Sequence, residues 1–123
     1  MKKQFVVSVF MLLMGGAAAA GWVQVGRSDK ALSYYESTST QRNGNSVRVW
    51  ILYDHFAPDG NQVTSQKSQE EFDCQKLESR TTYTTIYAGH MGNGRPLDSW
   101  KPDGGWTPIP PETLRWSILK KVC

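Results

Sequence analysis

The clearest pattern in this chain is the alternation over residues 46–54, where Val47, Val49, Ile51 and Tyr53 fall on one side and Arg48, Trp50 and Leu52 on the other. Period two with one wholly apolar side predicts a strand buried on one face and partly covered on the second, and makes it the candidate centre of a sheet. Just before it, Arg42-Asn43-Gly44-Asn45 contains an Asn-Gly pair, which accepts the positive φ angles of a tight turn. A hairpin is expected there. Upstream, residues 22–26 read as a first strand, residues 26–30 as a polar turn, and residues 32–38 as a second strand with Tyr34 and Tyr35 on opposite faces. Residues 37–41 are polar apart from Thr methyls, a composition suited to a solvated sheet edge.

Beyond the central strand, Pro58 and Asp59-Gly60-Asn61 mark a turn. The polar run over residues 62–70 argues for a loop or an irregular strand. Phe72, Cys74 and Lys76 then alternate imperfectly with Asp73, Gln75 and Leu77, which predicts a bulge or bend ahead of a clear strand over residues 81–88. In that strand Tyr83, Thr85 and Tyr87 oppose Thr82, Thr84 and Ile86. Three glycines between Gly89 and Gly94 make a reversal; their spacing is not a dinucleotide fingerprint, and no helix follows to face a phosphate. The Gly/Pro/Trp segment over residues 96–108 is expected to lay Trp100 and Trp106 over an edge of the core. Pro110, Pro111 and Glu112 read as a helix start. Leu114, Ile118 and Val122, joined by Leu119, form its apolar stripe, with Arg115, Lys120 and Lys121 as the polar complement.

The N-terminus has a different logic. Lys2 and Lys3 precede an almost wholly apolar stretch over residues 5–14 and a run of small residues over 15–20, the three-part pattern of a secretory signal peptide. Ala18 and Ala20 place cleavage after Ala20, giving a leader over residues 1–20 and one domain over residues 21–123. The apolar stretch is too short to span a bilayer, no later stretch is long enough, and no cysteine stands at the cleavage region to take a lipid anchor. Removing Lys2 and Lys3 lowers the fourteen basic residues to twelve, against eleven acidic ones. The mature chain is therefore close to neutral, which removes the concentrated positive field that nucleic-acid binding requires.

Export also decides the cysteine chemistry. Cys74 and Cys123 are the two cysteines of the chain, and an oxidising compartment makes a disulfide between them the simplest reading. That bond would tie the middle of the sheet to the end of the helix.

Enzymatic chemistry finds little support. Asp54, His55 and Asp59 lack metal-ligand spacing, and the chain has two histidines, His55 and His90. Glu70, Glu71 and Asp73 read as a solvated face, since alternation puts Glu71 and Asp73 on one side. No nucleophile stands in a recognisable elbow. The expectation is no catalytic residue, no metal and no cofactor. Five tryptophans and five tyrosines remain, serving core and interface alike. Trp100 and Trp106, being in a loop, are the candidates for exposure, and Lys76, Arg80 and Arg95 are candidate basic neighbours in a partner-binding patch.

Several motifs occur together: the Phe72-Asp73-Cys74 strand with Arg80 six residues after the cysteine, the aromatic run over residues 81–87, and the Gly92-Asn93-Gly94 turn. To these are added the Trp106-x-Pro-Ile-Pro-Pro approach to a helix ending in Val122-Cys123, and the upstream run over residues 47–54. In these features the chain resembles the surface-adhesin protein E family of Gram-negative bacteria over residues 22–123. The resemblance implies an α+β, mainly β fold: one antiparallel sheet of about six strands, with the C-terminal helix on one face, tied by the cysteines at positions 74 and 123. It also implies a non-enzymatic role, binding host extracellular-matrix proteins from the bacterial surface. The family's named member is similar to a lipoprotein, whereas this leader offers no lipidation cysteine, so a soluble periplasmic or secreted protein fits these residues better. The alternative function is a periplasmic protein that binds or inhibits another envelope protein. The partner is thus expected to be a protein, either host matrix or envelope; the oligomeric state is not specified by the sequence.

Overall fold

The computed structural model describes residues 21–123, and the expected leader over residues 1–20 lies outside the described residues. Eight strands and one α-helix follow: β1 (Trp22–Arg27), β2 (Ala31–Glu36), β3 (Gln41–Asn43), β4 (Ser46–His55), β5 (Ser65–Asp73), β6 (Glu78–Tyr87), β7 (Pro96–Trp100), β8 (Thr107–Pro108) and α1 (Leu114–Val122). A short 3-10 turn (His90–Gly92) lies between β6 and β7. The strands make one sheet in the order β1-β2-β4-β5-β6-β7 with every pairing antiparallel. The remaining two are short and fill gaps. β3 pairs with the first half of β4, whose second half pairs with β2, and β8 pairs with the start of β6, whose end pairs with β7. The expected fold of about six strands and a C-terminal helix on one face is therefore what the chain adopts.

The central alternation does as predicted. Val47, Val49 and Ile51 are buried on one face of β4, where Val49 and Ile51 join Phe72 of β5, Ile109, and Ile118 and Leu119 of α1 in the core. Burying such side chains contributes roughly 1.5–3 kcal/mol each, and this cluster is what holds the helix on the sheet. Gly26 of β1 lets the helix come close, since a Cβ there would stand 3.1 Å from the Ser117 Cβ.

Four local expectations need correction. Of the two readings of the polar run, the strand holds and the loop falls, because residues 65–73 form β5, paired on both edges over its whole length. Backbone pairing on two sides overrides the weak strand preference of Ser and Gln, and Glu70 is buried under the helix while Ser65 is buried under the turn that carries Gly89 and Gly92. Cys74 stands in a hairpin turn, not in a bent strand: the Asp73 carboxylate accepts from the Gln75 and Lys76 amides at 2.9 Å each, and Leu77 takes a left-handed φ of 57°. The proposed edge over residues 37–41 is a turn through residue 40, built on Glu36, whose carboxylate accepts from the Thr38 and Ser39 amides. Finally, the helix begins after its prolines. Thr113 is the N-cap, its hydroxyl accepting from the Trp116 amide at 3.1 Å, and Glu112 sits outside the helix with φ 66°.

The hairpin before β4 forms where expected, with Asn43 opposite Ser46 and Gly44, at φ 64°, as the first central residue. Its neighbourhood is also the clasp. Cys74 and Cys123 are disulfide-bonded, Cα atoms 5.6 Å apart. The Asn45 carbonyl accepts from the Cys74 amide, and Arg42 reaches from β3 to the Val122 carbonyl at 2.7 Å, a cation at a helix C-terminus.

Candidate functional site

The helix covers one face of the sheet. The other carries Arg48, Trp50 and Leu52 of β4, Glu71, Gln69 and Lys67 of β5, and their partners on β6. Register places Arg48 opposite Glu71 and Glu71 opposite Arg80, so three charges on three adjacent strands form one row. Arg48 donates to Glu71 Oε2 through Nη2 at 2.7 Å and Nε at 3.1 Å, and Arg80 donates to Oε1 through Nε at 2.6 Å. The Arg80 guanidinium lies 4.7 Å from the centre of the Trp106 ring. The row ends in a groove of about 270 Å³ lined by Arg48, Glu71, Arg80 and Trp106, with Gln41 and Asn43 of β3 and Ser46 of β4.

One carboxylate between two guanidiniums leaves the row with net charge of plus one. Hydrogen bonding from Arg48 first, and from Arg80, holds the Glu71 carboxyl below the ordinary carboxylate range, so the row is fully charged at neutral pH. Arg48 and Trp106 are exposed, and stacking on an indole leaves the guanidinium edge open to a partner's acceptors. Arg and Trp are residue types that carry much of the binding energy where proteins meet.

Of the five candidate binding residues, the fold brings Arg80 and Trp106 into contact. Lys76 is exposed at the tip of the β5–β6 turn, near the same end of the sheet. Arg95 lies at the opposite end of β6, its carbonyl accepting from the Ala88 amide. Trp100 pairs with Thr84, whose hydroxyl contacts Ser68 on the core-bearing face, so it stands on the far side from Trp106. Sequence reading missed Arg48 and Glu71, although the register signal was present: once the β4 and β5 alternations are known, opposite charges fall opposite each other.

The carboxylates of Glu70, Asp54 and Asp59, which the sequence also singled out, have structural partners. Glu70, read as solvated, is fully buried and receives Arg115 of the helix at 2.8 and 3.0 Å on its two oxygens. Burial pushes its carboxyl up, against the opposing effect of Arg115, and the neighbouring Tyr53 phenol is likewise raised by burial. Asp54 accepts from the His90 ring and the Met91 amide, which folds the 3-10 turn over the end of the sheet. A larger cavity of about 580 Å³ lies between the β1–β2 turn, the loop after His55, and Leu114. There Asp59 is spent on the Asn61 and Val63 amides of its own loop. Among the described residues no three His, Cys, Asp or Glu side chains converge on a point, and no helix is long and apolar enough to cross a membrane.

Comparison with known proteins bears on the whole described chain. The model of the surface-adhesin protein E family matches residues 22–123. The structure of Haemophilus influenzae protein E superposes with a TM-score of 0.60 at 14% identity, covering 91% of this chain and 90% of that one. A second crystal form of that protein gives 0.61 at 13% identity, covering 94% and 96%. Among curated proteins, none matches this sequence. At such identity the solved structures speak to the fold alone.

Proposed function

The chain belongs to the surface-adhesin protein E family, and from that premise we propose that it is an exported, non-catalytic protein that binds another protein through the Arg48–Glu71–Arg80 row and Trp106. The observation that carries this reading is the Arg80–Trp106 stack: a guanidinium already oriented, at the mouth of a groove, beside a second exposed arginine. A preordered cation loses little freedom on binding, and its partner would offer a carboxylate or a backbone carbonyl. The partner class that the family suggests is host extracellular-matrix protein.

The domain begins in this reading at Gly21, after a cleaved leader. Mass measurement of the exported protein tests that boundary directly. A second partner class is an envelope protein met in the periplasm, for which the same groove serves.

The experiment is binding to immobilised matrix proteins by the wild type, Trp106→Ala and Arg80→Ala, each variant first shown to melt as the wild type does. Binding that weakens tenfold or more in both variants, and that falls with added salt, supports the groove. Matrix binding untouched by either substitution sends the function elsewhere on the molecule. Cell fractionation with crosslinking through a residue placed at position 76 distinguishes the two partner classes.

A further inference from the structure

The uncovered face carries a second concavity, and its chemistry differs from that of the charged row. Trp22 of β1, Glu36 of β2, Trp50 of β4, Lys67 of β5 and Tyr83, Thr85 and Tyr87 of β6 line a cleft of about 260 Å³. The β6 tyrosines are there because of a bulge. Glu71 pairs with Arg80 and Glu70 with Thr81, but Gln69 pairs with Tyr83, so Thr82 is an extra residue in β6. The extra residue reverses the alternation beyond it, and Arg80, Tyr83, Thr85 and Tyr87 all end on the uncovered face. Thr82 fixes the bulge by donating to the Gln69 carbonyl at 3.1 Å.

The aromatic walls are held at fixed angles. Trp50 and Tyr83 meet edge to face, with centroids 6.3 Å apart and planes at 80°. The Lys67 ammonium stands 5.3 Å from the Tyr87 ring centre, and its stem runs along Gly92, where a Cβ would stand 3.0 Å from Cε. The small residue at the 3-10 turn thus gives the lysine a track that aims it into the cleft.

Polar accounting then says what is left for a ligand. The Glu36 carboxylate is taken by the Thr38 amide and hydroxyl and by the Ser39 amide. Thr85 shares a hydrogen bond with Ser99, and the Gln69 side-chain oxygen accepts from Thr82. Lys67 has no carboxylate within ion-pair distance among the described residues. The carboxylate and amide oxygens are thus engaged, while the Lys67 ammonium is left without a counter-charge among the described residues. A ligand complementary to this cleft brings its own negative charge, together with a rigid ring whose apolar face lies on an indole or phenol. An acidic side chain of a peptide supplies the charge but not the ring, whereas a uronic-acid sugar supplies both.

We propose that this cleft binds an acidic sugar residue, its ring stacked on one of the two perpendicular aromatic rings, Trp50 or Tyr83, and its carboxylate paired with Lys67. The volume suits one sugar ring with its neighbours outside. The site is separate from the Arg80–Trp106 groove and does not depend on it.

The test uses the full mature chain and two probes of equal length, a hyaluronan tetrasaccharide, which carries uronic acids, and neutral chitotetraose, followed by tryptophan fluorescence and calorimetry. The acidic probe is expected to bind, and Lys67→Gln to weaken it at least tenfold without lowering the melting temperature. Trp22→Ala, at the edge strand, is expected to weaken it as well, while Arg80→Ala leaves it unchanged. Equal affinity for the neutral probe, indifference to Lys67→Gln, or no binding of the acidic probe at millimolar concentration overturns the proposal. Tighter binding of a glutamate tetrapeptide than of the acidic sugar overturns it too.

Discussion

Glu70 and Glu71 are consecutive residues of one strand with opposite electrostatic fates: Glu70 is sealed under the helix against Arg115, and Glu71 lies on the uncovered face between Arg48 and Arg80. Their carboxyls move in opposite directions from the ordinary glutamate value of about 4.3. Hydrogen bonds from Arg48 and Arg80 lower Glu71. Its contribution to stability is therefore fully present above the ordinary value and is lost as pH falls through its folded-state value. Burial raises Glu70, so its contribution is greatest below the ordinary value and declines as pH rises through its folded-state value. Urea unfolding at stepped pH should accordingly lose part of its acid dependence in Glu71→Gln, and lose a dependence of opposite sign in Glu70→Gln. Carbon-detected NMR of the two carboxyls checks the assignment; Glu71 titrating above Glu70 is the result that refutes it.

The buried pair also has a stability signature. Glu70→Ala leaves the Arg115 guanidinium half-buried without its bidentate partner, and is expected to cost about 3 kcal/mol. Replacing both residues, as Glu70→Leu with Arg115→Met, removes the two desolvated charges together and should recover most of that loss. Equal destabilisation by the single and double variants in denaturant titrations would show that the pair does not act as a unit.

How much of this was legible in the sequence follows the range over which each signal acts. The β4 alternation, the Asn43-Gly44 hairpin and the helical stripe of Leu114, Ile118, Leu119 and Val122 are local patterns, and each lies where it was read. The β5 strand was hidden because its side chains are polar, and what makes Ser65 and Glu70 interior residues is the 3-10 turn and the helix, both distant in sequence. The disulfide was readable from compartment and count alone. The site was half visible: Arg80 and Trp106 were singled out by residue type, but their contact depends on β8 returning to β6 much later in the chain, and no local pattern encodes that. The aromatic cleft was the least visible. Simple alternation puts Arg80 and Tyr83 on opposite faces, and the one-residue bulge at Thr82 that reunites them has no strong composition cue in a run of four threonines and one tyrosine.

The clasp between Cys74 and Cys123 closes a loop with a sequence separation of 49, which in the chain-entropy model stabilises the fold by about 4 kcal/mol. It is not the sole fastening of the helix, since Arg42 caps its C-terminus and Arg115 pins its start. Cys74→Ser with Cys123→Ser is thus expected to lower the urea midpoint strongly while preserving the helical circular dichroism signal without denaturant. Reductant should reproduce the shift in the wild type and do nothing to the variant. A variant unfolded in buffer would mean that the two arginines contribute far less than their geometry implies.

The close helix–sheet approach at Gly26 carries a fault that can be relieved. Ser33 is buried on β2 with a hydroxyl that finds no partner among the described residues, and it stands under Gly26, where an added Cβ would come within 2.5 Å of that hydroxyl. Ser33→Ala removes an unsatisfied polar atom and is expected to stabilise the protein by roughly 1 kcal/mol. Gly26→Ala forces the helix outward or β2 aside and should destabilise it by about 1–3 kcal/mol, as overpacking does. The double variant should be more stable than the sum of the two single effects, because the nearest clash made by the new methyl is with the atom that Ser33→Ala deletes. The contact with Ser117 remains, so recovery is partial. Urea midpoints for the four proteins of this cycle measure the coupling. Strict additivity would place the helix farther from β1 and β2 than the close approach at Gly26 requires.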